Sequence, residues 1–324
     1  MLPACNAKVQ GVCPFVYGER HAVSRCDLKL VAFAQVNVKR FLILILIYAL
    51  MASPVNADTN KRETPQREAT ICGAIKERLV FWLWSRMAPD PDPRRVSGSA
   101  NIEAVFFVTG DGKKLSGYKF VAHDERGNRV APQGYVLMAL GNAMIADQMI
   151  RELSNYARFG YDAYIYDYRG YGLSEGKRRI NAIIEDYREI VSDLNGKYQR
   201  KMLYGVSLGG MVMMNVIGSG VAFDAAVIDS SPSRLSDYGC PARIDPVNQL
   251  SRENAPRILV ITGSRDQVLT VKQTQDLRLQ AAELGASTYD GADFAHPYMD
   301  SGYDVHMRRV KMVQDYLIGR PLQR

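Results

Sequence analysis

The sequence predicts an α/β protein with a mostly parallel sheet of about eight strands and helices on both faces. From Ile102 onward, short β-rich runs alternate with helical segments. The later strands are continuous apolar runs, which is typical of parallel strands buried on both faces. The runs "IEAVFFVT" and "LSGYKFVAH" flank the turn residues "GDGK". This arrangement predicts an antiparallel hairpin at one edge of the sheet.

The remaining elements alternate along the chain. After the hairpin, the predicted strands are Tyr135–Leu140, Asp162–Asp167, Lys201–Gly205, Asp224–Asp229, Arg257–Thr262 and Ala286–Tyr289. The predicted helices between and after them are Ala143–Phe159, Asn181–Tyr198, Leu208–Gly218, Thr270–Leu284 and Ser301–Ile318. We therefore expect residues 102–324 to form the main domain.

An apolar run near the amino terminus predicts export. Lys39 and Arg40 precede "FLILILIYALMA", and this run of 12 residues is shorter than the roughly 20 that a spanning helix needs. Val55 and Ala57 follow with the small-residue spacing of a signal-peptidase site. We expect residues 36–57 to be a secretory signal peptide and the mature protein to be periplasmic or secreted. The alternative is an uncleaved segment that anchors the protein to a membrane.

The 35 residues ahead of Val36 are much longer than an ordinary signal-peptide n-region. They favour a true start at Val36 or Val38, with residues 1–35 as an over-extended reading frame.

The charge balance argues against a nucleic-acid partner. Residues 58–324 carry 35 Lys/Arg against 32 Asp/Glu, and the basic residues form only short pairs such as Arg94 and Arg95. A basic stripe that could follow a phosphate backbone is therefore not expected.

Cys72 and Cys240 are the two cysteines beyond the leader, and they can form one disulfide or remain two separate thiols.

Residues 58–101 lie between the leader and the main domain. Residues 58–68 are polar and predict a linker, and Thr70–Met87 predicts an amphipathic helix that ends before "PDPDP". Ile71, Ile75, Leu79 and Trp82 are expected on one apolar face of this helix. That face is interpreted as packing against the main domain, with a membrane surface or a substrate entrance as alternatives.

Ser207 occupies a special position in the stretch "LYGVSLGGM". It follows a predicted strand and precedes a predicted helix, so the chain must reverse direction within a few residues. Gly205 and Gly209 lack the Cβ atoms that would obstruct such close packing of strand and helix. The turn would hold the Ser207 hydroxyl over the carboxyl end of the sheet. It would also direct the Leu208 N–H toward the same point, where an oxyanion would be stabilised.

Four stretches give the region from about Ile102 to Arg320 a specific resemblance. They are "YIYDYRGYGLSEG", "LYGVSLGG", "VITGSRDQVL" and "GADFAHPYMD", in that order. The region resembles the α/β-hydrolase family, and within it the small serine hydrolases of the BEM46 and ABHD13/ABHD17 type. The resemblance implies the α/β-hydrolase fold, a serine nucleophile, and chemistry that needs no metal or organic cofactor.

A serine hydroxyl needs a general base, and the base needs a carboxylate that fixes its tautomer. The family order is serine, then acid, then histidine. His296 is the expected base because it lies in a loop after the last strand, whereas His306 falls within the terminal helix and His123 precedes Ser207. The expected acid is Asp266, which follows the penultimate strand.

Asp229, at the end of the preceding strand, is the alternative acid, and Asp293 is interpreted as a turn residue. The family's second oxyanion donor corresponds to the backbone N–H of Asn142. Leu140 stands where the family often has histidine, so one polar group of that loop is missing.

Two further stretches bear on substrate choice. Arg169, in "DYRGYGLSEG", is expected to hold its loop through hydrogen bonds, with direct contact to substrate as the alternative. The segment between Asp229 and Arg257 is where such folds carry a lid. Its shortness favours small or surface-presented ester and acyl substrates over buried long chains.

These residues predict a serine hydrolase that cleaves carboxylic esters or thioesters through an acyl-enzyme. The alternatives are a peptidase on the same fold and an inactive exported protein that binds a ligand.

Overall fold

The computed structural model describes residues 67–320, so the leader and most of the predicted linker lie outside the described residues. One sheet of eight strands forms the centre, in the order β1-β2-β4-β3-β5-β6-β7-β8. The strands are β1 Ile102–Val108, β2 Lys114–Phe120, β3 Gly134–Ala139, β4 Asp162–Tyr166, β5 Arg200–Val206, β6 Ala225–Asp229, β7 Ile258–Gly263 and β8 Ser287–Gly291. The predicted strand number and order of elements are confirmed.

The sheet is mostly parallel. Strands β3 to β8 run parallel to one another, whereas β1 and β2 form the predicted antiparallel hairpin at one edge. Every residue of β3, β4 and β7 is buried, on both faces of the pleat. Both faces of the sheet are covered by helices. A site is therefore expected in the loops at the carboxyl ends of β5, β6 and β7.

The helices are α1 Ala74–Met87, α2 Ala146–Met149, α3 Ser154–Arg158, α4 Ile180–Lys197, α5 Leu208–Gly218, α6 Val271–Glu283 and α7 Tyr303–Leu317. Helix α5 is buried along almost its whole length and packs on β3, β5 and β6, with α4 beside it. Helix α6 packs on β7 and β8, and α7 packs on β6. The central helix α5 therefore has its amino terminus at the loop-bearing edge.

The single helix predicted over Ala143–Phe159 is wrong. A 3₁₀ turn at Ile150–Leu153 separates α2 from α3. The helical region also begins later than predicted, because residues 141–144 form a turn in which Ala143 has φ 61°. Positive φ is incompatible with the right-handed helix that the apolar pattern suggested.

Helix α1 packs against the domain through a different face from the predicted one. Glu77 and Phe81 are its buried residues, whereas Ile75 is 83% exposed and Leu79 and Trp82 are about half exposed. The Glu77 carboxylate accepts hydrogen bonds from the backbone N–H groups of Ile71 at 2.7 Å, Cys72 at 2.9 Å and Ile180 at 3.1 Å. The Glu77 carboxylate thus links the chain just before α1 to the start of α4. Because Glu77 must face the domain to make these bonds, the opposite, more apolar face of α1 is turned toward solvent.

Charged contacts fix the segment ahead of α1. Arg169 is fully buried and donates hydrogen bonds to Asp186, Asp111 and Glu68. Arg67 also donates to Asp186, at 2.7 Å. The expectation that Arg169 holds its loop by hydrogen bonds is confirmed, and residues 67 and 68 of the predicted linker are part of the folded domain.

A disulfide also fixes α1. Cys72 and Cys240 are joined, and they lie 168 positions apart in the chain. The bond ties the residue before the N-cap of α1 to the segment between β6 and β7.

Within residues 67–320, no helix has both the length and the apolar character that a membrane crossing requires.

Because the disulfide closes such a long loop, reducing it restores much conformational freedom to the unfolded chain. We expect reduction, or the paired change Cys72→Ala with Cys240→Ala, to lower the free energy of unfolding by about 4 kcal/mol. Urea denaturation of the oxidised and reduced protein measures this. The paired variant is the control, because its stability should not respond to reductant, and an oxidised parent no more stable than the paired variant would contradict the expectation.

Candidate active site

Ser207 lies at a sharp turn between β5 and α5. It has φ 54° and ψ −115°, a conformation that non-glycine residues seldom adopt. Its N–H donates to the carbonyl of Asp229 at 2.8 Å, which fixes the turn to the end of the neighbouring strand β6. The side chain stays 8% exposed. A strained residue held in this way at a strand–helix junction matches the predicted nucleophile turn.

The two glycines around Ser207 allow this packing. A Cβ at Gly205 would lie 2.5 Å from the carbonyl oxygen of Gly209, and a Cβ at Gly209 would lie 2.1 Å from that of Ala139. Both distances are shorter than any real contact with a backbone atom. The glycines therefore let the start of α5 approach β5 and the end of β3, as predicted.

His296 and Asp266 form a direct pair on the same edge of the sheet. The Nδ1 atom of His296 lies 2.8 Å from Oδ2 of Asp266. The other oxygen of Asp266 accepts hydrogen bonds from the N–H groups of Val268 and Leu269, both at 2.8 Å. Both members of the pair are more than nine-tenths buried. The carboxylate is thus held in place and can fix the orientation of the imidazole ring.

Ser207 and His296 both lie at this edge of the sheet, and no hydrogen bond joins them in the described residues. Strands β5, β6 and β7 end side by side, with Val206 paired to Asp229 and Asp229 paired to Ile261. Within residues 67–320, the Ser207 hydroxyl and the His296 ring form no direct hydrogen bond. Contacts of this kind are often long in the absence of substrate and shorten in the reacting complex.

The alternative acid, Asp229, is fully buried between these residues and has another partner. Its Oδ1 lies 3.2 Å from Nη1 of Arg309, on α7. Burial raises the pKa of the Asp229 carboxyl, while Arg309 and His296 act in the opposite direction. His296 therefore acts electrostatically on Asp229, although its hydrogen bond is to Asp266.

Arg309 also holds the loop that carries His296. Its Nη2 donates to the carbonyl of Ala295 at 2.6 Å and to Oδ1 of Asp300 at 3.1 Å. Asp300 in turn accepts from the Ala295 N–H at 2.9 Å. The residue before His296 is thus bound through both its backbone groups. Sequence reasoning missed Arg309 and Asp300.

A signal for Arg309 is present in the sequence. Arg309 lies four and eight positions ahead of Val313 and Leu317, so it shares the buried face of α7. An arginine in line with apolar core positions indicates a buried charge that needs a carboxylate partner. The sequence gives no comparable signal for the choice of Asp229 and Asp300 as its partners.

The residues of the predicted oxyanion donors lie near Ser207, one next to it in sequence and one in a loop that packs against the turn. Leu208 is the first residue of α5, so its N–H has no partner within the helix. The loop of Asn142 lies against the turn, because a Cβ at Gly141 would be 3.7 Å from the Ser207 Cβ. Leu140, at the position of the family histidine, is fully buried in the core. The structure thus brings the loop of the second donor to the nucleophile turn.

Asp167 binds the chain just after the loop that carries Asn142. Its Oδ1 accepts from the Ala146 N–H at 2.7 Å, at the start of α2, and Oδ2 accepts from Leu173 at 3.4 Å. Burial raises the pKa of Asp167 to about 6, because few hydrogen bonds compensate its lost hydration. The loop that carries Asn142 therefore depends on a carboxyl group that titrates near neutral pH.

The remaining candidates lie elsewhere. His123 bonds to the carbonyl of Val121 through Nδ1 and stacks on Phe120. His306 is in α7, as predicted, and Asp293 is paired with Arg308.

A cavity of about 160 Å³ lies beside the hairpin, with Asp147 and Asp167 in its wall. None of Ser207, Asp266 or His296 lines it, so we do not assign it to the reaction.

These groups are the types that nucleophilic acyl transfer requires. A serine hydroxyl, a carboxylate-bound imidazole and a backbone N–H at a helix amino terminus lie at one edge of the sheet. They provide a nucleophile, a base and a site for negative charge.

Comparison with known proteins identifies the same fold. The family model described as "Serine aminopeptidase, S33" matches residues 130–260, from the approach to β3 through the middle of β7. The uncharacterized protein YfhR of Escherichia coli K12 is 25% identical over 256 residues, which are 72% of this chain and 86% of that protein.

Two solved structures are similar over nearly their whole length. The Pyrococcus furiosus esterase Pf2001 has a TM-score of 0.55 at 18% identity and covers 72% of this chain and 94% of its own. XC6422 from Xanthomonas campestris, described as an α/β serine hydrolase without a lid, has a TM-score of 0.51 at 14% identity. It covers 69% of this chain and 98% of its own. The predicted α/β-hydrolase fold is confirmed.

The raised pKa of Asp167 leads to a pH-dependent stability. The folded protein binds this proton more tightly than the unfolded chain, so the stabilisation is complete below about pH 4 and disappears as pH rises through about 6. We expect the free energy of unfolding of the parent, relative to Asp167→Asn, to fall by about 3 kcal/mol between pH 4 and pH 7. Urea denaturation of both proteins across this range measures the difference. A difference that stays constant with pH would contradict the expectation.

Proposed function

We propose that this α/β-hydrolase is a serine hydrolase that cleaves carboxylic ester or thioester bonds through an acyl-enzyme intermediate. The observation that carries the proposal is the strained Ser207 turn beside a buried histidine–carboxylate pair, with His296 Nδ1 at 2.8 Å from Asp266. The resemblance to the BEM46 and ABHD13/ABHD17 type is part of the same proposal.

In the first half of the reaction, Ser207 Oγ attacks the carbonyl carbon of the substrate and His296 takes its proton. Asp266 holds the ring and stabilises the imidazolium that forms. The N–H groups of Leu208 and Asn142 stabilise the negative charge on the carbonyl oxygen. When the tetrahedral intermediate collapses, the bond to the leaving group breaks and His296 protonates the departing alcohol or thiol.

The second half repeats these steps with water. His296 removes a proton from a water molecule that attacks the acyl-enzyme carbonyl. The ester bond to Ser207 then breaks, and His296 returns the proton to the Ser207 oxygen. The products are a carboxylic acid and the free enzyme.

The segment between β6 and β7 favours small or surface-presented substrates. Its regular structure consists of short 3₁₀ turns: Ser236–Tyr238, Ala242–Ile244, Pro246–Gln249 and Ala255–Arg257. The disulfide holds Cys240, and Asn215 Nδ2 on α5 donates to the Ile244 carbonyl at 2.9 Å. A short segment tied at two points is poorly suited to enclose a long acyl chain.

Peptide hydrolysis is the second candidate, because the matching family model is described as a serine aminopeptidase. An aminopeptidase needs carboxylates that bind the substrate's amino terminus. In the segment between β6 and β7, Asp245 is buried and already accepts hydrogen bonds from Ser236, while Asp237 and Glu253 are exposed. Because both oxygens of Asp245 already accept hydrogen bonds, this residue is not available to bind an amino terminus, which favours the ester or thioester substrate.

We also propose export to an oxidising compartment. The Cys72–Cys240 disulfide supports it, because such bonds persist in periplasmic and secreted proteins and are rare in reducing compartments. The signal-peptide prediction agrees with this, although residues 36–57 lie outside the described residues.

We expect Ser207→Ala to abolish labelling by a fluorophosphonate probe and to lower turnover of p-nitrophenyl acetate by at least about a thousandfold. Ser264→Ala, an exposed serine after β7, is the matched control and should keep both properties. Gel fluorescence and initial rates measure the two effects. A folded parent that does not label would instead support the inactive binding protein.

The choice of acid can be tested separately. Asp266→Asn removes the charge that stabilises the His296 imidazolium, so we expect a fall in kcat of about a thousandfold or more. Asp229→Asn leaves Arg309 with one less buried counter-charge and should cost about 3 kcal/mol of stability. Its kcat, measured well below the melting temperature, should stay within about tenfold of the parent. The reverse order of the two kcat values would assign the acid role to Asp229.

A further inference from the structure

The solvent-facing side of α1 carries an unusual apolar stripe. Ile75, Leu79 and Trp82 are spaced by four and three residues, so they follow one another along one side of the helix. Their exposures are 83%, 50% and 51%. Single exposed apolar residues are common on protein surfaces, but three large ones in line on a 14-residue helix indicate a contact surface.

The same side is positively charged. Arg78 and Arg86 are exposed, and the Arg86 guanidinium lies 5.4 Å from the centre of the Trp82 ring. Glu77 is the only acidic residue of α1, and it is 3% exposed because it binds three backbone N–H groups. The exposed side of the helix therefore combines apolar side chains with arginines and carries no carboxylate.

This surface is rigidly attached to the domain. The Cys72–Cys240 disulfide fixes the chain just before the helix, and Glu77 joins it to the start of α4. Phe81 is buried and Trp84 packs against the core on the opposite side. The stripe is therefore a fixed feature of the folded protein.

We propose that Ile75, Leu79 and Trp82, with Arg78 and Arg86, form a docking surface for an anionic lipid bilayer. Helices that lie in a membrane interface combine an apolar face with basic residues and aromatic side chains in this way. The apolar groups would enter the boundary between headgroups and acyl chains, and the arginines would bind the lipid phosphates.

Charge complementarity selects this occupant over two others. The apolar run of residues 41–52 could cover the stripe, but it has no acidic residue to match the arginines. A second copy related by a two-fold axis would bring the same arginines toward each other. An anionic bilayer satisfies both the apolar and the charged groups.

The position of α1 gives the docking a consequence. The disulfide joins it to the segment between β6 and β7, which follows Asp229 at the edge of the sheet that carries Ser207. Docking through α1 would place this segment beside the lipid headgroups. The proposal itself does not depend on the proposed hydrolase activity.

The two tryptophans of the chain, Trp82 and Trp84, are both on α1 and allow a local test in the full chain. With selective excitation of tryptophan, Trp84→Phe reports on Trp82, and the matched control Trp82→Phe reports on Trp84. Each protein is mixed with vesicles of phosphatidylcholine and phosphatidylglycerol, with and without bromine on the acyl chains close to the headgroups. We expect bromine to quench Trp82 strongly and Trp84 much less.

The arginines are tested with the same signal. In the Trp84→Phe background, Arg78→Gln with Arg86→Gln should raise the vesicle concentration for half-maximal quenching by about thirtyfold. Arg126→Gln with Arg252→Gln removes two exposed arginines elsewhere and should have little effect. Vesicles of phosphatidylcholine alone should bind more weakly than the anionic ones.

Three results would overturn the proposal. One is a protein that floats with vesicles while Trp82 remains unquenched, because the leader alone would then hold it there. Another is poor quenching of Trp82 by acrylamide without vesicles, because the stripe would then be covered by another segment or a second copy. The third is equal quenching by neutral and anionic vesicles, which would remove the role of the arginines.

Discussion

The backbone turn at Ser207 is the constraint on which the rest of the site depends. With φ 54° and ψ −115°, it is unfavourable for a residue with a side chain, so the surrounding structure must hold it. The hydrogen bond from its N–H to Asp229 and the close contacts at Gly205 and Gly209 do so. These contacts require β3, β5 and β6 to be adjacent and parallel. The order of the sheet is therefore the physical origin of the position of the Ser207 hydroxyl.

The loops around this turn are fixed by buried polar groups rather than by apolar packing alone. Asp167 binds the N–H at the start of α2, next to the Asn142 loop, whereas Arg309 binds the carbonyl of Ala295 and Asp300 binds its N–H, next to His296. Such groups are costly to bury, so each needs several partners in defined places. Their loss would displace the reacting groups as well as destabilise the fold. The same buried charges that limit stability thus give the loops their positions.

The sequence predicted what depends on local pattern. Apolar runs located the strands, and the glycines around Ser207 indicated the turn. The face of α1 could not be predicted from its apolar pattern, because the buried position of Glu77 depends on the N–H of Ile180, 103 residues away. The break before α2 was missed for a similar reason, since the turn at Ala143 precedes a helix start that is held by Asp167. Arg309 was visible as a charge on an apolar face, but its partners come from β6 and from the loop after β8.

The two carboxylates near His296 differ in what they can do. Asp266 binds the imidazole directly and receives two backbone N–H groups on its other oxygen, so its charge is supported and correctly placed. Asp229 is fully buried, carries a raised pKa and is bound to Arg309. Its Oδ1 lies 3.2 Å from Arg309, which also binds Asp300, so Asp229 already belongs to a buried charge cluster. Arg309 therefore favours Asp266 as the partner of His296, because it provides the counter-charge of the alternative carboxylate and also binds the carbonyl of Ala295 in the histidine loop.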